Sequence, residues 1–313
     1  MARAQMQGIS LLVILQAVFG LHKGKRLQQL KQRLEALLDY TASPFFFSMV
    51  VSPSLQRGIG FWRPWQRYLE MLHEIDALLY SEIKERRQHL DPAQTDILSL
   101  LLSAKDESGQ GMSDVELRDE LITLLIAGHE TTANALSWAL YWIHALPIVK
   151  QMLLTELQSL GDKPDSSSVV RLPYLNAICS ETLRIYPITP IPGPRITKTA
   201  MSIGGYEFEP ETYLSPCIYL VHRRPDLYPE PEQFKPARFL ERQFSPYEYF
   251  PFGGSNRRCI GAAFALYEMK LVLATILSRY QLELREQKPV MPTRRGLTIA
   301  PKGGVKMVVC AHR

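Results

Sequence analysis

The sequence predicts a mainly α-helical fold with a small β component. Three observations carry this reading. Apolar residues recur at helical spacing through most of residues 1–186, and several runs open on a proline or a serine cap. Twelve of the 22 prolines then fall between Pro187 and Pro251, where a missing N–H and a fixed φ exclude long helices. One more helical run, Ala262 to Tyr280, precedes a short strand-like end.

The elements follow in order. The apolar stretch Ile9 to Leu21 comes after Arg3 and gives a first helix, Ile9–Phe19. It is too short to span a bilayer. Lys23, Lys25 and Arg26 follow at once without a clear small-residue cleavage pattern, so a buried helix is expected before a signal sequence. Further helices are expected at Lys25–Leu38, Pro64–Gln88, Pro92–Ala104, Ser113–Ala145, Pro147–Leu160 and Pro173–Tyr186. Proline suits a first helical turn, where its absent N–H would have no partner. Ser113, with Glu116 three residues on, forms a capping box. Lys105–Gly111 and Gly161–Ser168 read as polar breaks. After Tyr186, strands are expected at Tyr213–His222 and Val305–Val309, and Arg223–Pro251 as irregular chain of a length that is usually functional.

At 313 residues with 46% hydrophobic composition, the chain can bury a substantial core and disorder is not expected. Four cysteines, Cys179, Cys217, Cys259 and Cys310, lie far apart without disulfide-framework spacing, which fits a reducing cytoplasm. Net charge is a mild +5. No nucleic-acid motif supports such a partner, and no P-loop or Gly-x-Gly-x-x-Gly fingerprint indicates a fused reductase.

Cys259 is the principal candidate for chemistry. It lies in the tight loop Phe252-Gly253-Gly254-Ser255-Asn256-Arg257-Arg258-Cys259-Ile260-Gly261, just ahead of a long helix. Neighbouring arginines and a helix N-terminus both favour thiolate, and a thiolate so placed suits an iron ligand. The bland alternative is an ordinary cysteine after a plain turn. A second motif is Glu181-Thr182-Leu183-Arg184, whose carboxylate and guanidinium share a helix face. Most such pairs are solvated and worth little, but Ile178, Leu183 and Ile185 crowd this one. A third is Ala127-Gly128-His129-Glu130-Thr131-Thr132, inside the apolar run Leu117 to Leu146. Glycine and paired threonines disfavour helix there, so a local distortion such as a widened turn is expected. His129-Glu130 is no zinc-protease motif, because Ala133 stands where the second histidine belongs.

These segments, in this order, resemble the cytochromes P-450, the haem-thiolate monooxygenases, closest to soluble bacterial members. The resemblance implies the cytochrome P-450 fold over residues 1–313 as a single domain, mostly helical over 1–186, with strands, meander, haem loop and final helix over 187–313. It implies haem b, with Cys259 as the axial iron ligand and Phe252, Gly253, Gly261, Ala127 and Gly128 around the cofactor. Arg257 would pair with a propionate. Glu130 and Thr131 would serve proton delivery during dioxygen activation. Glu181 and Arg184 would form a triad with Arg238 of Pro236-Ala237-Arg238-Phe239, fixing the haem loop.

The implied activity is insertion of one atom of dioxygen into a lipophilic substrate such as a fatty acid, alkane or terpenoid. Leu125, Ala127, Thr131 and Ile188 to Pro192 are candidate pocket walls, or plain core. A ferredoxin-like donor with its reductase would supply electrons. Arg223, Arg224, Lys235, Arg238, Arg242, Arg257 and Arg258 cluster near the loop. Most are expected to be solvated charges, and Arg242 and Arg258 could face an acidic donor. A cytoplasmic location without a transmembrane anchor is expected.

Two departures stand out. Ser255 occupies a position where the family usually has glycine, which strains the loop if φ is positive there. A complete member is also longer at the front, where a Trp-x-x-x-Arg helix contacts a propionate. Trp62 and Trp65 are instead followed four residues on by Gln66 and Leu69. The fold is therefore expected to be N-terminally incomplete. The alternative to an active enzyme is then a non-catalytic or vestigial haem-binding fragment that needs a missing N-terminal segment.

Overall fold

The computed structural model describes all residues except 21–23, 53–55, 57–62, 90, 92 and 162–163. Leu21, Lys23, Trp62 and Pro92, which figure in the expectations above, lie outside the described residues. The chain divides into two compact units, Ala4–Ala133 and Met1–Arg3 with Asn134–Arg313.

The first unit is helical. It holds most of α1 (Ala2–Phe19), then α2 (Lys25–Thr41), α3 (Pro44–Val51), α4 (Pro64–Gln88), α5 (Ile97–Ser103) and the first part of α6 (Asp114–Ala145). In α2 the buried residues Leu27, Leu30, Leu34, Leu37 and Leu38 recur every three or four positions, so one stripe is apolar and the rest is solvated. In α4, Met71, Ile75, Leu79 and Ile83 repeat at intervals of four and make the matching stripe. Buried Arg86 ties three elements. It donates to the Phe19 carbonyl at 2.8 Å, to Asp96 at 2.7 Å and to Ser99 at 2.7 Å. Asp96 in turn caps α5 by accepting from the Ser99 N–H at 3.0 Å. The Ser113–Glu116 capping box forms as the spacing predicts: Glu116 accepts from the Ser113 N–H at 2.8 Å and Ser113 Oγ from the Glu116 N–H at 3.3 Å.

α1 differs from expectation. It begins at Ala2 and has 18 residues, so it is long and apolar enough to cross a membrane. The length argument against a span therefore does not hold. Leu11, Leu15, Val18 and Phe19 are fully buried in the protein, while 39% of the helix as a whole is buried.

The second unit begins within α6 and continues with α7 (Pro147–Gln158), α8 (Ser166–Val170), α9 (Pro173–Ile185), α10 (Ile218–Val221), α11 (Arg238–Glu241) and α12 (Ala262–Arg279). Among the described residues four antiparallel two-stranded sheets complete it: β1 (Arg195–Ile196) with β4 (Tyr213–Leu214), β2 (Met201–Ile203) with β3 (Tyr206–Phe208), β5 (Tyr280–Leu284) with β8 (Met307–His312), and β6 (Pro292–Arg295) with β7 (Thr298–Pro301). The β2–β3 turn is Gly204-Gly205, both at positive φ, as a two-residue turn of matching twist requires. The strand expected over Tyr213–His222 is corrected: it stops at Leu214, and after Pro216 the chain forms α10. Proline cannot donate to a ladder, so pairing ends there.

α9 is the best-buried helix of this unit, with every residue from Ala177 to Ile185 buried. Its N-terminus is held by Glu156 of α7, whose carboxylate accepts from the Tyr174 N–H at 2.7 Å and the Leu175 N–H at 2.9 Å. A carboxylate at that end satisfies otherwise orphaned donors and complements the helix dipole.

Candidate cofactor-binding site

Glu181 and Arg184 sit on α9 one turn apart and are completely buried. Their contact is bidentate, Arg184 Nε to Oε2 at 2.7 Å and Nη2 to Oε1 at 2.9 Å. Arg238 of α11 donates to the same Glu181 Oε1 from 3.2 Å, and the Lys235 N–H from 2.7 Å. The three residues read from sequence therefore do meet. Their remaining guanidinium hydrogens go to backbone: Arg184 to the carbonyls of His222 at 2.8 Å and Gln233 at 3.1 Å, Arg238 to that of Pro229 at 3.2 Å. Both guanidinium groups also lie over the Tyr228 ring, at 5.2 Å and 6.0 Å.

The irregular chain reached by these bonds continues into the cysteine loop. The Phe250 N–H donates to His222 Nε2 at 3.1 Å. The Gly253 N–H donates to the Phe250 carbonyl at 2.9 Å, and the Cys259 N–H to the Phe252 carbonyl at 2.9 Å. Gly253 has φ 70°, which its lack of Cβ permits. Ser255, in a 3₁₀ turn over Ser255–Arg257, has φ 55°, so the strain foreseen for a serine at this point is present. Cys259 is exposed, and Ile260 beside it is 92% exposed. Gly261 caps α12, and a Cβ added there would lie 3.9 Å from the Cys259 sulfur.

The cationic cluster separates by partner. Arg242, which could face an acidic donor, pairs with Glu248 and lies over the Phe244 ring at 4.7 Å. Arg224 pairs with Asp226, Lys235 with Glu230, and Arg223 with Glu232 at 3.2 Å. Among the described residues Arg257 and Arg258 make no ion pair.

Ala127–Thr132 lies in the first unit as one turn of α6. The expected distortion is absent: α6 is regular helix throughout this turn. The Thr131 hydroxyl donates to the Ala127 carbonyl at 2.6 Å, a bond available without opening the turn. Gly128 has a packing reason instead, since a Cβ there would come within 2.9 Å of Ile14 Cδ1 on α1. His129 is buried and its Nε2 donates to the Gln7 carbonyl at 3.1 Å, so it tethers α1. Glu130 and Thr131 are half-buried.

The family model "Cytochrome P450" matches residues 4–307. The chain belongs to the cytochrome P450 family. It is 38% identical over 312 residues to cytochrome P450 135B1 of Mycobacterium bovis, covering 99% of this chain and 63% of that protein. It is 35% identical to cytochrome P450 135A1 of Mycobacterium tuberculosis, covering 98% and 65%. The chain thus spans under two thirds of the length of these relatives. Among solved structures, the cytochrome P450DA heme domain is similar at TM-score 0.83 and 27% identity, covering 99% of this chain and 68% of that one.

P450 proteins carry haem b. The donor chemistry here fits that group. Cys259 offers an exposed soft sulfur, whereas burial pushes the Cys179 thiol up to about 12, where it yields no thiolate. Arg257 offers a guanidinium without an internal carboxylate among the described residues. Two surface clefts, lined by Leu284 to Lys306 and by Pro147 to Gln158, include none of these residues.

Sequence reasoning missed His222, Tyr228 and Glu156, and it treats Lys235 only as one of the clustered charges, whereas its backbone N–H serves Glu181. His222 is fully buried, and burial first, then Arg184, pushes its imidazole down to about 3. It is therefore neutral, with Nε2 free to accept. No local signal marks it, because its partners lie 28 and 38 positions away.

Proposed function

We propose that residues 1–313 work as a single cytochrome P450-like domain with haem-thiolate monooxygenase activity. The observation that carries this reading is the exposed Cys259, on a loop fastened to the fully buried Glu181–Arg184 pair. In this reading Cys259 gives its thiolate to the haem iron, and Phe252, Gly253 and Gly261 shape the loop around the sulfur. Arg257 neutralises a propionate through charge-assisted hydrogen bonds. Bound haem with a thiolate ligand supplies the dioxygen activation by which one oxygen atom enters a substrate and the other leaves as water. Ala127 and Gly128 are further residues assigned to the cofactor in this reading. Glu130 and Thr131 hold and pass a proton, and the Thr131 hydroxyl has its orientation set by the Ala127 carbonyl.

The substrate class that fits is lipophilic, a fatty acid, alkane or terpenoid. Ile188 and Ile191 of the second unit are apolar candidates for substrate contact, as is Leu125 of the first; Leu125 and Ile188 are buried and Ile191 is 55% exposed. Electrons come from a ferredoxin or similar donor with its reductase, and Arg258 is a cationic residue that an acidic partner could face. The setting is cytoplasmic. The test is to load the chain with haem, reduce it and add carbon monoxide. A strongly red-shifted Soret band, lost in Cys259→Ser, is expected, with NAD(P)H-dependent turnover once ferredoxin and reductase are added. Imidazole or water in place of sulfur in the loaded wild type overturns the reading.

A further inference from the structure

We propose that His222 is a positioning residue for the cysteine loop, coupling the buried Glu181–Arg184 pair to the Phe250–Cys259 segment through its two acceptor atoms. The inference rests on Cys259 being the haem ligand for its functional meaning. Its geometry stands apart from that. The His222 carbonyl takes a hydrogen from Arg184 Nη1 at 2.8 Å, and its ring Nε2 takes the Phe250 N–H at 3.1 Å. Two turns of hydrogen bonding then lead to Cys259, Gly253 N–H to the Phe250 carbonyl and Cys259 N–H to the Phe252 carbonyl, both at 2.9 Å. A path of hydrogen-bonded residues thus runs from a fixed charge pair on a helix to a cysteine on an otherwise irregular loop.

The ring is clamped as well as bonded. It stacks on Tyr249 at 5.3 Å and 21°, and meets Tyr228 and Phe250 edge-on at 6.1 Å and 5.5 Å. Both tyrosines are themselves tethered, Tyr249 to the Ser180 carbonyl at 3.0 Å and Tyr228 to the Glu248 carbonyl at 2.8 Å. Because Nε2 accepts, the proton sits on Nδ1, which is buried and has no partner among the described residues. A desolvated donor is unfavourable. A plain packing role would be served better by phenylalanine, which fits the same aromatic clamp without a polar atom to bury. Histidine is explained by the acceptor on its other nitrogen.

The test compares His222→Phe, which keeps the ring and removes the acceptor, with His222→Gln, which restores an acceptor at similar reach. Both are made in the full chain loaded with haem. The readouts are amide hydrogen exchange at Phe250, Gly253 and Cys259, and the fraction of the reduced carbon monoxide complex in the red-shifted thiolate form. His222→Phe is expected to speed Phe250 exchange by about tenfold and to lower the thiolate fraction, with helix content unchanged. His222→Gln is expected to recover most of both. Unchanged exchange and thiolate fraction in His222→Phe, or equal losses in the two variants, overturn the inference. If His222→Phe does not fold, wild-type exchange decides: protection of Phe250 comparable with α9 supports the coupling, and exchange as fast as at exposed Tyr247 refutes it. A wild type without the thiolate band sinks the ligand reading instead, and the exchange measurements still judge His222.

Discussion

Ser255→Gly should stabilise this protein. Ser255 holds φ 55° in the turn before Cys259; its carbonyl accepts from the Arg258 N–H at 3.1 Å, and its hydroxyl makes no hydrogen bond among the described residues, so substitution loses none. Left-handed backbone costs an L-residue about 1–2 kcal/mol through the clash of Cβ with the following carbonyl. Glycine removes that clash but gives up roughly 0.5–1 kcal/mol of extra chain entropy on folding. The difference is a net gain of about 0.5–1 kcal/mol, or about 1–2 °C in thermal midpoint for a chain of this length. Ser255→Ala keeps the clash and should leave stability near wild type. Ser255→Val adds β-branching in the same region and should lose at least about 1 kcal/mol. Thermal and urea unfolding of the four proteins give the order glycine, then serine and alanine, then valine. A valine variant as stable as the glycine variant would refute the claim that backbone conformation governs this position.

Glu181→Gln should destabilise by about 3–5 kcal/mol, because Arg184 and Arg238 lose a shared buried counter-charge; urea unfolding measures it, and a loss under 1 kcal/mol contradicts the burial argument. Glu156→Ala removes the acceptor of two N-terminal N–H groups of α9 and should cost about 1–2 kcal/mol, read as a lower urea midpoint with the m-value unchanged. Acid sensitivity follows from His222, whose folded value near 3 lies below its ordinary 6.5. The unfolded chain binds the proton first, so this contribution is intact above pH 6.5 and is lost as pH falls toward 3, at up to about 1.4 kcal/mol per pH unit. His222→Gln should flatten that limb of the stability profile, and an unchanged slope would show that other groups set it.

Where structure depends on neighbours in sequence, it was legible. Pro64–Gln88 was read to the residue because proline marks its first turn, and the Ser113–Glu116 box marks the start of α6. The spacing of Glu181 and Arg184 announced their pairing, and the glycines and Cys259 announced the loop. Legibility failed where distant chain decides. Tyr213–His222 has strand composition throughout, yet only its first two residues find a partner strand. Gly204-Gly205 is a local hairpin signal, legible in the sequence as a two-residue turn. Gly128 looked like a helix defect, and only the approach of Ile14 reveals it as a packing requirement. Arg242 looked like a free surface cation until Glu248 appeared beside it.

The buried triad is better understood as a source of directed donors than as a source of stability. A buried ion pair rarely repays the desolvation of its charges, so net attraction alone does not explain why Glu181 and Arg184 are kept in the core. The partners of the guanidinium groups supply the reason. The carbonyls of His222, Gln233 and Pro229 all belong to proline-rich chain outside regular helix or strand, where backbone acceptors lack ladder partners. Buried carbonyls must be satisfied, and proline supplies no N–H to do it. Arginine presents five donors in a rigid plane, so one side chain can bind a carboxylate on one edge and two carbonyls on the other. Glu181 fixes the plane, and the plane fixes the irregular chain. Cys259 can therefore be carried on a loop whose only regular piece is the short 3₁₀ turn Ser255–Arg257 and still be held in place by a helix: the rigidity is imported from α9 through side-chain donors.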